Sequence, residues 1–314
     1  MEELTMNKAM GKGIMAMAIM GLVFFSGAGA ENIVFAEAVP PTSVAVSVQI
    51  QQSLKSAIDW TKGAASDMTV VGIGLPPENS GTDGVVLARR AAIVDAYRNL
   101  AELIEGVQVD AESVMHDYIV RSDMVRTQVK ALVKGARILE EGSDGEGRYL
   151  VKMRIPLYGE NNSLASVAIP NIRPATVEPL PVVDAGGLTK AEVKAVQKAG
   201  YTGVIVDASG LGLEATFSPV VYDTDGRAIY GMKNIDPDFA ISQGMVEYAS
   251  SLEAAVAHSR AGANPLVVKA VAVQGGRNSA NKVNVVVPAE DGNKILLANE
   301  KTGMLHHCAV VFVK

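Results

Sequence analysis

The feature that most constrains this chain is the stretch TDGVVLARRAAIVDAYRNLAELIEGVQV, residues 82–109. Between Gly84 and Gly106 it contains neither glycine nor proline, and Ala, Leu, Arg and Glu, all good helix formers, dominate it. The spacing predicts one long helix. The lead PPENSGTDG is turn-rich, and Thr82 or Asp83 is placed to accept from the open N–H groups of the first turn. Gly106 stands where a left-handed glycine would stop the helix. Leu87, Ala91, Val94, Leu100 and Ile104 recur near the 3.6-residue period, and Ala88, Ala92 and Ala96 widen that face. Side chains this small predict that another element approaches closely.

A chain of 314 residues has room for about two domains. Hydrophobic residues at 48% and charged residues at 20% describe a globular protein, not a disordered one. Aromatics make up only 5%, with Trp60 the single tryptophan, which argues against stacking platforms for bases or sugars. A net charge of −6 argues against a phosphate-backbone binder, so no nucleic-acid partner is expected. The single cysteine, Cys308, excludes an intramolecular disulfide and a multi-cysteine metal knuckle.

The N-terminus carries a compartment signal. Lys8 and Lys12 precede the apolar run IMAMAIMGLVFF, residues 14–25, which is shorter than the roughly 20 residues a spanning helix needs. The small residues Ala28, Gly29 and Ala30 follow, and Val34-Phe35-Ala36 offers a second cut. This basic, apolar, small order predicts a signal peptide over residues 1–36 and an exported protein of the periplasm or cell envelope.

Residues 37–68 form a Pro- and Ser-tinged lead, with a short amphipathic helix expected over 49–62. The run TVVGIGL, residues 69–75, reads as a strand. Its Gly72 and Gly74 lack the third glycine of a dinucleotide loop and run into Pro76-Pro77, so they read as a glycine-softened strand end. Residues 107–109 are read as the start of a strand and 122–133 as a second helix capped by Ser122 or Asp123. Strands over 136–141 and 148–157 flank the hairpin turn SDGEG.

The segments ARRAAIVDAYRNLAELIEGVQV, VKGARILEE and GRYLVKMRIPL resemble the Lpp-twenty lipoprotein family domain. That domain is similar to the N-terminal domain of flagellar assembly protein T and to flagellar lipoprotein P. The resemblance covers about residues 69–158. It implies a non-enzymatic envelope domain in which two helices pack on a small antiparallel sheet, with relatives in outer-membrane and flagellar structures. The lipoproteins of this group carry a lipidated cysteine after the signal peptide. Here no cysteine precedes Cys308, so no lipid anchor is expected.

Proline at 170, 174, 179 and 181 marks residues 159–188 as a linker in which a compact helix is not expected. Residues 189–314 open on Thr189-Lys-Ala-Glu192, a capping box, with Gly200 as the stop. A strand over 201–207 follows, then a hairpin about Thr224-Asp225-Gly226. Helices are expected over 236–245, 250–258 and 288–298, and strands over 266–274, 282–287 and 309–314. The region VIVDASGLG…SPVVYDTDGRAIYG is similar to one that trails some Lpp-twenty-type proteins. The expected fold class is α+β, with the two-helix antiparallel domain joined to a C-terminal mixed α/β domain.

No stretch selects a catalyst. The sequence from Asp223 resembles the start of a calcium loop, but Arg227 and Asn234 fall where ligands are required, so a hairpin turn is the better reading. At His306-His307-Cys308 only alternate residues of a strand share a face, which gives two metal ligands at most. Ser209, near Asp207, lacks the glycine of a nucleophile elbow, and neither His116 nor His258 is marked as its base. Arg98 stands three residues from Asp95 and four from Glu102, as surface ion pairs do. Arg89, Arg90 and Arg98 are the residues assigned to an interaction surface.

These readings give an exported structural or interaction protein that uses no cofactor and no metal. The expected partners are envelope or flagellar proteins, with a homo-oligomer allowed and membrane contact at most peripheral. The competing reading is an exported ligand-binding protein or hydrolase that uses the glycine-rich loop at Ser209.

Overall fold

The computed structural model describes residues 57–314, apart from 145–146, 173, 185–186 and 277–279. The expected signal peptide, most of the lead and residues 49–56 of the expected amphipathic helix lie outside the described residues. The remainder of that helix is instead a short strand, β1 (Ala57–Asp59), antiparallel to β2 (Asp67–Gly74).

The protein is α+β. Its N-terminal sheet is antiparallel throughout, in the order β1-β2-β4-β3, with β3 spanning Arg137–Ser143 and β4 spanning Tyr149–Pro156. Val151, Met153 and Ile155 of β4 point into the core while Lys152 and Arg154 face outward, the period of two that an antiparallel strand with one wet face requires. The long helix α1 (Gly84–Glu105) lies across this sheet. Two further helices follow, α2 (Met115–Arg121) and α3 (Asp123–Lys134), and Ser122 caps the second by accepting from Val125 N–H.

The buried stripe of α1 is Ala88, Ala92, Ala96, Leu100 and Ile104, whereas Leu87 and Val94 are exposed. The expected close approach is made by β2. A Cβ on Gly72 would stand 2.7 Å from Ala96 Cα, and one on Gly74 would stand 2.5 Å from the Ala92 nitrogen. Strand and helix backbones therefore meet with nothing but hydrogen between them, and the two glycines are packing residues.

Both ends of α1 differ from expectation. Asp83 makes no side-chain cap, because the chain enters the helix through the tight turn Gly81–Asp83. Gly106 is not left-handed: its φ is −80°, and its N–H continues the helical ladder to Glu102 O. Residues 107–109 add only an isolated bridge, Gln108 to Val114, in place of a strand.

The proline-rich segment also differs. Its first part is α4 (Leu164–Ile172), with Pro170 inside the helix. Pro170 lacks an N–H and would strand the carbonyl four residues back, Ser166. Burial of Leu164, Ala165, Val167, Ala168 and Ile169 outweighs that loss.

The C-terminal half carries two sheets. One is wholly parallel, β8-β12-β5-β9, formed by Glu247–Ala249, Val310–Val313, Gly203–Asp207 and Pro265–Lys269. The other is mixed, β10-β11-β6-β7, formed by Ala272–Gln274, Asn284–Val287, Val221–Asp223 and Ala228–Tyr230. The expected single strand over 266–274 is thus two, β9 and β10, which bend from one sheet into the other. The helices are α5 (Lys190–Ala199), α6 (Pro237–Gln243), α7 (Leu252–Ala257) and α8 (Ala289–Thr302). The capping box forms as the sequence requires: Glu192 N–H donates to Thr189 Oγ1 at 3.2 Å, and Thr189 N–H to Glu192 Oε2 at 2.9 Å. Gly200 ends α5 with φ +64°.

One hydrophobic core runs through residues of both halves. Where the halves meet, the half-buried Trp60 packs on the buried Tyr158, Phe217 and Tyr248 edge to face, with ring centroids 5.2–6.4 Å apart. Main-chain bonds run alongside, from Ser218 N–H to Val109 O at 3.0 Å and from Gly159 N–H to Ile241 O at 2.8 Å.

Candidate functional site

The flank of α1 beside β2 is built by an exposed strand edge. β1 pairs with β2 only as far as Thr69, so Val71 and Ile73 have no strand partner on that side among the described residues. Two side chains of α1 take the partner's place. Asp95 Oδ2 accepts Ile73 N–H at 2.9 Å, and Asn99 Nδ2 donates to Val71 O at 2.9 Å. Asp95 also holds Arg98, NH2 to Oδ1 2.5 Å. The result is a shallow groove of about 470 Å³ with an apolar floor of Ile73, Ala91 and Val94 and with Arg90 and Arg98 on its rim.

The structure thus brings two of the three assigned arginines together. Arg89 lies apart, making a two-pronged ion pair with Glu141 of β3, Nε–Oε2 2.8 Å and NH2–Oε1 3.1 Å. It ties helix to sheet. Arg90 has no acidic partner within 4.0 Å among the described residues, while Arg98 reaches Glu102 at 3.9 Å in addition to Asp95.

A second polar constellation surrounds Glu247 at the start of β8. Arg260 Nε donates to its Oε2 at 3.2 Å, and the same guanidinium donates to Gly244 O at 2.9 Å and Cys308 O at 3.1 Å. His258 Nε2 lies 2.7 Å from Glu247 Oε1, yet that oxygen takes no hydrogen bond, while His258 Nδ1 accepts Arg260 N–H at 3.2 Å. The carboxylate is wholly buried beneath Gly63, where a Cβ would crowd it. Burial raises the Glu247 carboxyl above its ordinary value, against the pull of Arg260 and His258. Nothing in the sequence near Glu247 marked this cluster, since its members come from four separate segments.

The other residues weighed as chemistry hold turns. Asp223 is buried and accepts from Asp225 N–H at 3.1 Å, Arg227 N–H at 2.8 Å and Arg227 Nε at 2.7 Å, so its carboxylate is committed to the hairpin. Ser209 Oγ donates to Asp207 Oδ1 at 2.6 Å, and its N–H donates to the same oxygen at 3.0 Å. These bonds lower the Asp207 carboxyl, chiefly through the hydroxyl, which makes Asp207 a weak base for Ser209. His306, His307 and Cys308 sit in a turn before β12, not on a strand. Cys308 is buried with φ +53° and both histidines are exposed. Burial raises the Cys308 thiol. His116 Nδ1 stands 3.2 Å from Glu105 at the surface. Among the described residues no three His, Cys, Asp or Glu side chains gather as metal ligands would.

Residues 203–314 match the family described as Treponema pallidum Tp0624, second domain. The match takes in both C-terminal sheets, from β5 to β12. It stops short of α1 and the antiparallel sheet. No curated protein matches the chain. Among the described residues no helix is long and apolar enough to cross a membrane.

Proposed function

We propose that the chain is an exported, non-enzymatic interaction protein of the bacterial cell envelope, associated with flagellar or outer-membrane assembly. The observation that carries this reading is the flank of α1. Its polar side chains are committed to closing the strand edge, and Ile73, Ala91 and Val94 are left open beneath Arg90 and Arg98. Exposed apolar surface rimmed by arginine is the composition of protein–protein contacts.

Three further observations support it. The basic, apolar, small order of residues 1–36 is that of an export signal. The unit over 67–156 packs α1, α2 and α3 with an antiparallel sheet, and the resemblance of residues 69–158 to the Lpp-twenty family implies a helical layer of two helices on such a sheet. The likeness of residues 203–314 to a second domain fits a chain assembled from modules.

The test combines fractionation with crosslinking. The tagged protein should be recovered with the envelope, and a photoreactive residue at position 94 should trap a partner that Arg90→Glu/Arg98→Glu loses. Deletion should impair motility or envelope integrity. Cytosolic recovery, with motility and envelope unchanged on deletion, would overturn the proposal.

A further inference from the structure

A second groove, on the opposite flank of α1, has a different character. It runs between α1 and α3 and measures about 500 Å³. Its floor is Ala101 of α1, Ile119 of α2, and Val129 and Val133 of α3, with the Tyr97 ring at one end. Val129 is buried, and Ala101, Ile119, Val133 and Tyr97 are half-buried, so these four carry the accessible part of the floor.

The rim is cationic. Arg126, Lys130 and Lys134 follow one another at i, i+4 and i+8 on α3 and so stand in a row along one edge. Arg126 is engaged by Asp123 at 2.9 Å. Lys130 and Lys134 have no acidic oxygen within 4.0 Å among the described residues. The acidic group on the rim, Glu105, faces His116 at 3.2 Å. An aliphatic trough with two uncompensated ammonium groups is complementary to a molecule that is apolar along its length and anionic at one end.

We infer that this groove binds a medium-chain fatty carboxylate, its alkyl chain on Ala101, Ile119, Val129 and Val133 and its carboxylate between Lys130 and Lys134. The volume is that of a single small ligand, and the floor offers a chain what a folded core offers a side chain. A flexible alkyl chain follows a trough lined by side chains of three helices, Tyr97 among them, better than a rigid helix does.

The test titrates the full chain calorimetrically with octanoate, decanoate and dodecanoate, each below its micelle concentration. One-to-one binding is expected to tighten about fourfold per added methylene, as about 0.8 kcal/mol per buried CH₂ requires. Lys130→Glu/Lys134→Glu should weaken dodecanoate by more than about tenfold, since both charge-assisted contacts are lost and two carboxylates replace them. Ala101→Phe, which fills the trough, should abolish binding with the thermal midpoint unchanged or raised. Dodecyltrimethylammonium, of equal chain length, should not compete. No saturable binding of dodecanoate would overturn the inference, as would equal affinity for the trimethylammonium compound or retention of full affinity by both variants. The charge variant alters only exposed side chains, and its circular dichroism spectrum should match the parent's.

Discussion

Asp95 Oδ2 accepts the backbone N–H of Ile73 at 2.9 Å, so a helix side chain occupies the place of a strand neighbour. Exposed strand edges template unwanted pairing, and proteins close them with charges or coverings. Asp95→Ala should cost about 1.5 kcal/mol, the low end for a bond to a charged group because Ile73 is partly wet. It should also uncover the edge. Urea denaturation reads the first effect. Light scattering should show concentration-dependent self-association in the variant, and a monodisperse variant would count against the edge-closing role.

Gly72 and Gly74 are expected to tolerate no side chain. Each Cβ would drive into the α1 backbone, which cannot shift without lifting the helix from the sheet. Gly72→Ala or Gly74→Ala should cost about 3 kcal/mol, the upper end for overpacking. Gly142→Ala is the control: it lies in β3 with open space about it and should change stability by less than about 0.5 kcal/mol. Similar thermal midpoints for all three would refute the packing account.

What the sequence disclosed and what it hid divide along a physical line. The Thr189–Glu192 box and the Thr224–Gly226 hairpin are legible because the bonds that define them, Glu192 N–H to Thr189 and Arg227 N–H to Asp223, lie within four residues. Gly106 and Pro170 depart from local preference because their conformations follow from what the chain packs against. The run over 266–274 is apolar apart from Lys269 and the terminal Gln274, and it holds neither glycine nor proline. It splits because Ala270 N–H pairs with Asp207 O while Val271 N–H pairs with Val286 O, and these lie on different sheets. The Glu247 cluster has no local trace, since Gly63, Glu247, His258 and Arg260 are joined only by folding. Arg89 pairs with Glu141, 52 residues away, a contact that no local pattern discloses.

Asp223 should prove the costliest acidic residue to remove in the C-terminal half. Asp223→Ala leaves three donors unmet and the Arg227 guanidinium uncompensated, and Arg227 in turn holds Asn293 Oδ1 at 3.0 Å. Breaking a buried charged pair from one side costs about 3 kcal/mol. Asp223→Asn should recover part of this by accepting from the turn N–H groups. Chemical denaturation of both variants checks the order; equal losses would show that the charge, not the turn bonds, carries the effect.

Glu247 makes a prediction about pH. Burial lifts its folded-state pKa above the 4.5 of an ordinary glutamate, with Arg260 and His258 opposing and Asp59 adding to the shift. The folded protein therefore binds this proton more tightly than the unfolded chain. The resulting stabilisation is fully present below 4.5 and is lost as the pH rises through the folded-state value. The unfolding free energy of the wild type minus that of Glu247→Gln should decline as pH rises from 4.5 towards 7. A difference that stays flat, or grows with pH, would contradict the assignment.

Trp60 offers a test of whether the two halves behave as one body. It is the single tryptophan, and its ring touches Tyr158 from the N-terminal half and Phe217 and Tyr248 from the C-terminal half. Separating the halves would expose all four rings, and edge-to-face pairs are worth about 0.5–1.5 kcal/mol each beyond the area they bury. Main-chain bonds from Val109 to Ser218 and from Gly159 to Ile241 would be lost with them. Each half should therefore lend the other stability, and unfolding should be a single cooperative event. Trp60 fluorescence and far-ultraviolet circular dichroism should trace coincident urea transitions. If fluorescence changes at lower urea than the dichroism, the aromatic junction opens before the sheets melt, and the halves are separately stable domains. Trp60→Phe keeps the edge contacts with a smaller ring and should shift the whole transition without splitting it.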